Sequence, residues 1–145
     1  MEYQDGAAAP SGSTRPKGVH GVPDQKAFDG VIEAPLPGRT AKPRHHGQTM
    51  VIDKGLGLSQ TGDLLELAAE YIDFWKFTFG TAALYTPELL RAKVNLIRSY
   101  GVDVYPGGTF LEVALTQGAL EPYLERSRAM GFTCIEMSVS QMPNA

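Results

Sequence analysis

The chain has almost no cysteine: Cys134 is the single one in 145 residues. An internal disulfide is thereby excluded, and this usage fits a reducing compartment such as the cytoplasm. Positive charge is not in excess either. Thirteen Lys and Arg stand against sixteen Asp and Glu, a formal net charge of −3 with no basic stripe, so nucleic acid is disfavoured as a partner. No apolar run approaches the ~18 residues of a membrane span, and the N-terminus lacks an apolar signal core, so no membrane partner is expected. Neither GxGxxG nor GxxxxGK[ST] occurs, which leaves no nucleotide-binding loop to nominate.

What is present is a rhythm. Residues 1–43 are rich in Gly, Pro, Ala and Ser and are expected to form a flexible leader, with one short apolar piece at Phe28 to Pro37. Residues 44–145 are expected to form the domain. Thr49–Asp53, Ile72–Phe77, Val102–Tyr105 and Thr133–Met137 read as short buried strands that end in charged, aromatic or glycine residues. Helical segments alternate with them: Gly62 to Glu70, with Thr61 or Ser59 as cap, then the segment opened by Thr86-Pro87-Glu88, then Phe110 to Thr116 and Glu121 to Met130. The second carries an apolar stripe of Leu89, Leu90, Val94, Ile97 and Tyr100 and stops at Gly101. The order β-α-β-α-β-α-β predicts an α/β fold with a parallel sheet, and both doubly wound and barrel architectures begin this way.

Function in such folds sits at the C-terminal ends of the strands. Val51 and Asp53 share one face of the first strand, Phe74 and Lys76 one face of the second, and Cys134, Glu136 and Ser138 one face of the fourth. If these are the inward faces, two carboxylates and a lysine converge. Lys54 precedes a glycine turn and is either a functional group or a solvated strand end. Lys76 lies among Phe74, Trp75 and Phe77, where an unpaired lysine is costly; it serves a site or pairs with Asp53 or Glu136. Gly107-Gly108 brings backbone N–H groups to a phosphate or merely makes a tight turn. Glu112 is favourable in a first helical turn whatever its role. Tyr105 reaches a ligand or caps a barrel, Asp73 is structural, and His45-His46 has no assigned role.

Thr49-Met50-Val51-Ile52-Asp53-Lys54-Gly55-Leu56, Tyr71-Ile72-Asp73-Phe74, Lys76-Phe77, Gly80-Thr81, Val104-Tyr105-Pro106-Gly107-Gly108-Thr109, Glu112 and Gly131 to Ser138 together resemble the phosphosulfolactate synthase family. The likeness runs from about Gln48 to Ser138. It implies a (β/α)8 TIM barrel, of which this chain holds about the first four βα units. The implied reaction adds sulfite to phosphoenolpyruvate and forms (2R)-phospho-3-sulfolactate, with Mg²⁺ as cofactor, in coenzyme M or sulfolactate biosynthesis. Lys54 and Lys76 are then the candidate catalytic residues, Tyr105, Gly107, Gly108 and Glu112 the candidate substrate-binding residues, and Asp53 and Glu136 the candidate Mg²⁺ ligands.

Two departures from the family pattern stand out. Ser138 is followed by Val139-Ser140-Gln141 where relatives carry Ser-Asp-Gly, and the chain is expected to lack the later strands, with the lysine proposed as proton donor, as either a fragment or a gene truncated by a frameshift. The alternatives are a non-catalytic member similar to the plant heat-stress-associated relatives, or a truncated, inactive half-barrel. A homo-oligomer is expected to cover the open sheet edge.

Overall fold

The structure, a computed structural model, describes residues 26–33, 40–78 and 80–138. Three strands, β1 (Met50–Asp53), β2 (Phe74–Phe77) and β3 (Asp103–Tyr105), form one parallel sheet in that order. Helices α1 (Leu58–Ala68) and α2 (Pro87–Ser99) make the two crossovers, and α3 (Gly108–Thr116) and α4 (Leu120–Met130) follow β3. This is a parallel α/β arrangement compatible with the opening of a TIM barrel.

Local chemistry sets the helix ends. Thr86 accepts the Leu89 N–H at 3.3 Å as the cap of α2, Pro87 occupies the first turn with its fixed φ, and Glu88 complements the positive end of the dipole. Gly131 stops α4 in the left-handed region at φ 92°. Helix α1 begins four residues before the expected Gly62. Thr61 is therefore not its cap but lies inside the first turn, its backbone N–H and its hydroxyl both donating to the Gly57 carbonyl.

The helices cover one face of the sheet only. Trp75, Phe77, Val104, Leu65, Val94 and Ile97 are fully enclosed there, each worth roughly 1.5–3 kcal/mol of burial. The opposite face carries Met50 and Ile52, which remain 42% and 51% exposed. Below the N-terminal ends of the strands, buried Arg44 pairs with Asp73 at 2.8 Å and also donates to the Glu70 and Thr40 carbonyls. The other Asp73 oxygen accepts the Thr49 N–H. Asp73 is thus the structural residue its position predicted.

Thr133–Met137, expected as a fourth strand, runs beside β3 without joining the ladder. Its Thr133 N–H donates to the Val104 carbonyl at 2.9 Å, but the Val104 N–H goes to the Thr133 hydroxyl rather than to a backbone carbonyl. A side chain has taken the place of the next rung. Of the expected leader, residues 1–25 and 34–39 lie outside the described residues; 26–33 form turns with Phe28, Val31 and Ile32 exposed. No helix among the described residues is long and apolar enough to cross a membrane.

Candidate active site

Residues opposite one another in a parallel ladder share a face. Ile52 pairs with Lys76 and Lys76 with Tyr105, so these three make one row on the open face. Asp53 pairs with Phe77 one position later and belongs to the helix-covered face. The strand ends therefore present two chemistries on opposite sides of the same sheet.

On the open side Lys76 reaches Glu136. Its Nζ lies 2.8 Å from Oε1 and 2.7 Å from Oε2, a bidentate pair with both side chains partly solvated. Oε2 also accepts the Gly108 N–H at 2.6 Å, at the start of α3. The turn before that helix needs glycine. Gly107 has φ 82°, and a Cβ there would stand 2.5 Å from the Phe77 carbonyl oxygen. A cavity of about 220 Å³ opens beside this pair, lined by Ile52, Lys54, Lys76, Thr78, Gly107, Gly108 and Thr109. Two ammonium groups against one carboxylate suit it to a small anion.

Of the expected site residues, Lys54, Lys76, Gly107 and Gly108 line this cavity, and Glu136 is tied to it through Lys76 and Gly108. Glu112 and Tyr105 stand aside from it. Glu112 is 2% exposed and accepts the Ser138 hydroxyl at 2.6 Å. Tyr105 points its hydroxyl at the Met50 sulfur. Burial first, then the nearby Glu136 charge, pushes its pKa up to about 12, so it stays a neutral phenol. Thr78 and Thr109 are lining residues that the sequence reading missed.

Asp53 requires a correction: it does not converge with Lys76 and Glu136. A register offset of one residue puts its carboxylate among the helices. There it is completely buried, and its four acceptor positions are filled. Oδ1 takes the Gly55 and Leu56 N–H groups, each at 2.8 Å, while Oδ2 takes the Trp75 indole N–H at 2.8 Å and the Lys93 ammonium at 2.6 Å. Burial alone would raise the Asp53 pKa; the Lys93 hydrogen bond, with those from Gly55, Leu56 and Trp75, outweighs it and holds the pKa below its ordinary value. A carboxylate so engaged has no lone pair for a metal.

Lys93, also fully buried, is the second residue of this pair and went unnoticed in the sequence. It further donates to the Leu56 carbonyl and the Tyr85 hydroxyl, and stands over the Phe77 and Tyr85 rings. Its signal was present. Leu90, Lys93, Val94 and Ile97 have the spacing of a single buried helix face.

A hard cation such as Mg²⁺ asks for oxygen donors, commonly one or two carboxylates completed by water and substrate. Glu136 offers such oxygens at the open side, where they engage the Lys76 ammonium and the Gly108 N–H. Among the described residues no three His, Cys, Asp or Glu cluster as a ready-made metal cage. A larger cavity of about 420 Å³ lies between α2, α3 and α4, but its lining is mainly apolar and Arg126 is its one charged residue. The two lysines line the smaller one.

The model of the (2R)-phospho-3-sulfolactate synthase family matches residues 37–143, which include every lining residue of the small cavity. The chain belongs to the (2R)-phospho-3-sulfolactate synthase family. It is 42% identical over 102 residues to the phosphosulfolactate synthase of Methanothermobacter thermautotrophicus, covering 70% of this chain and 40% of that protein. The Methanocaldococcus jannaschii phosphosulfolactate synthase is 38% identical over 92 residues, 63% of this chain and 37% of that one. For the Bacillus subtilis phosphosulfolactate synthase the figures are 33% over 108 residues, 74% and 42%. The chain thus spans about two-fifths of the length of the curated synthases it matches.

Proposed function

We propose that this chain carries part of a phosphosulfolactate synthase site, in which sulfite adds to phosphoenolpyruvate and gives (2R)-phospho-3-sulfolactate. Family membership supports the reaction, and the cavity that joins Lys54, Lys76 and the Gly107-Gly108 turn is the observation that carries the site. Both reactants are anions, and the sulfite sulfur must approach a substrate that already bears a carboxylate and a phosphate. Lysines at the strand ends offset that repulsion and orient the two.

In the reaction the sulfite lone pair forms the C–S bond at the methylene carbon. The π pair moves into the carboxylate as an enediolate, and a proton then arrives at C2. Lys54 and Lys76 are assigned to binding the anionic groups and holding this charge. Glu136 is the residue that would hold a Mg²⁺ ion, its oxygens being the hard donors that ion takes. When bound, Mg²⁺ would supply charge neutralisation at the enediolate. The protein is assigned to the cytoplasm and to a homo-oligomer that covers the open sheet edge.

A second reading has its own support. Glu136 already neutralises Lys76 and takes the Gly108 N–H, an arrangement that would suit a non-catalytic family member. Phosphorus NMR of the 145-residue chain with phosphoenolpyruvate, sulfite and Mg²⁺ separates the two, the Methanothermobacter enzyme serving as reference. A phosphosulfolactate signal that disappears on chelation supports the synthase reading. No signal from the chain beside a strong one from the reference sinks catalysis by this polypeptide.

A further inference from the structure

The buried pair under the sheet does more than fill the core. Asp53 and Lys93 grip the β1–α1 loop from the helix side. The Leu56 N–H is held by Asp53, and the Leu56 carbonyl accepts from Lys93 and, at 3.1 Å, from the Tyr85 hydroxyl. The Gly55 N–H is held by the same carboxylate. Lys54 lies between Asp53 and these pinned peptides and lines the small cavity. Its backbone is fixed on both sides from across the sheet.

We propose that Lys93 is a positioning residue for the anion site: through Asp53 and the Leu56 peptide it sets the β1–α1 loop so that Lys54 faces the cavity beside Lys76. This rests on reading that cavity as an anion site. A lysine with zero exposure is retained at a cost when an apolar residue could pack the same helix face. What the ion pair adds over packing is direction. An ammonium and a carboxylate fix the orientation of three backbone groups in a loop that a methyl group would leave free.

The test is a double-mutant cycle on inorganic phosphate affinity, measured by titration calorimetry on the 145-residue chain. The variants are Lys54→Ala, the charge-neutral pair Asp53→Asn with Lys93→Met, and the three changes together. Removing both charges at once avoids leaving either buried alone, and circular dichroism checks the fold. Lys54→Ala is expected to weaken phosphate binding about tenfold. The neutral pair should weaken it by a similar factor, and the triple variant should be no weaker than Lys54→Ala. Losses that multiply, or a neutral pair that binds like the unsubstituted chain, would overturn the proposal.

Amide exchange at Gly55 and Leu56 supplies a ligand-free reading. Faster exchange in the neutral pair with no phosphate bound by any variant means that the anion reading has failed, and the positioning role falls with it. Unchanged exchange shows that the clamp itself is wrong. Should the neutral pair not fold, Tyr85→Phe, which keeps the ring and removes one hold on the Leu56 carbonyl, must show the same failure to multiply with Lys54→Ala.

Discussion

Gly107→Ala isolates the cost of the turn that borders the small cavity. Two penalties act together. At φ 82° and ψ 145° a side chain sits in a backbone region that essentially only glycine adopts, which costs on the order of 1–3 kcal/mol. The added Cβ would also lie 2.5 Å from the Phe77 carbonyl oxygen, a backbone atom with no rotamer to escape into. Relieving such a contact shifts the backbone at about 1–3 kcal/mol. Gly101→Ala is the matched control, since Gly101 has φ 67° and nothing within 4 Å of its would-be Cβ. The stiffening of the unfolded chain is common to both substitutions and cancels. Gly107→Ala should therefore be less stable than Gly101→Ala by about 1–3 kcal/mol. At a urea slope of ~1–3 kcal/mol per molar, its unfolding midpoint should fall lower by on the order of 1 M. Equal midpoints at equal slopes would refute the reasoning and show that the Gly107 turn adapts freely.

Two further outcomes are expected. The Asp53 pKa is depressed in the folded state, so its contribution to stability is complete above the unfolded value near ~3.9 and is lost as pH falls through the folded one. Below about pH 4 the thermal midpoint of the unsubstituted chain should thus drop more steeply than that of the Asp53→Asn, Lys93→Met pair; parallel curves would contradict this. Burial raises the Cys134 thiol pKa, so a disulfide exchange reagent near neutral pH should label it more slowly than in the urea-unfolded chain, and equal rates would count against the placement.

The rhythm of the fold was legible because each of its signals is local. The three paired strands fall within the predicted segments, and Thr86-Pro87 and Gly131 mark helix ends through their own backbone chemistry. Faces were legible within a strand but not between strands. Alternation correctly separates Asp53 from Ile52; which of them lies beside Lys76 depends on register, a tertiary quantity set by how β1 and β2 pair. Half of the candidate site was therefore readable, with Lys54, Lys76 and the two glycines around one cavity, while Asp53 belonged to the core. Thr133–Met137 has the composition of a strand, but the Thr133 hydroxyl claims the Val104 N–H that a strand partner would use. Lys93 was passed over because a charge inside an apolar stripe reads as an interruption. It is in fact the partner that lets Asp53 be buried.

The indole of Trp75, the chain's one tryptophan, gives that buried pair a voice of its own. Its ring is fully enclosed and its N–H rests on the Asp53 carboxylate, so its fluorescence arises from a single place in the protein. Any event that neutralises Asp53, withdraws Lys93 or loosens the β1–α1 loop changes the polarity and hydrogen bonding of that one chromophore. The protein carries an intrinsic optical reporter on the inner side of its β1–α1 loop, readable in solution without a label.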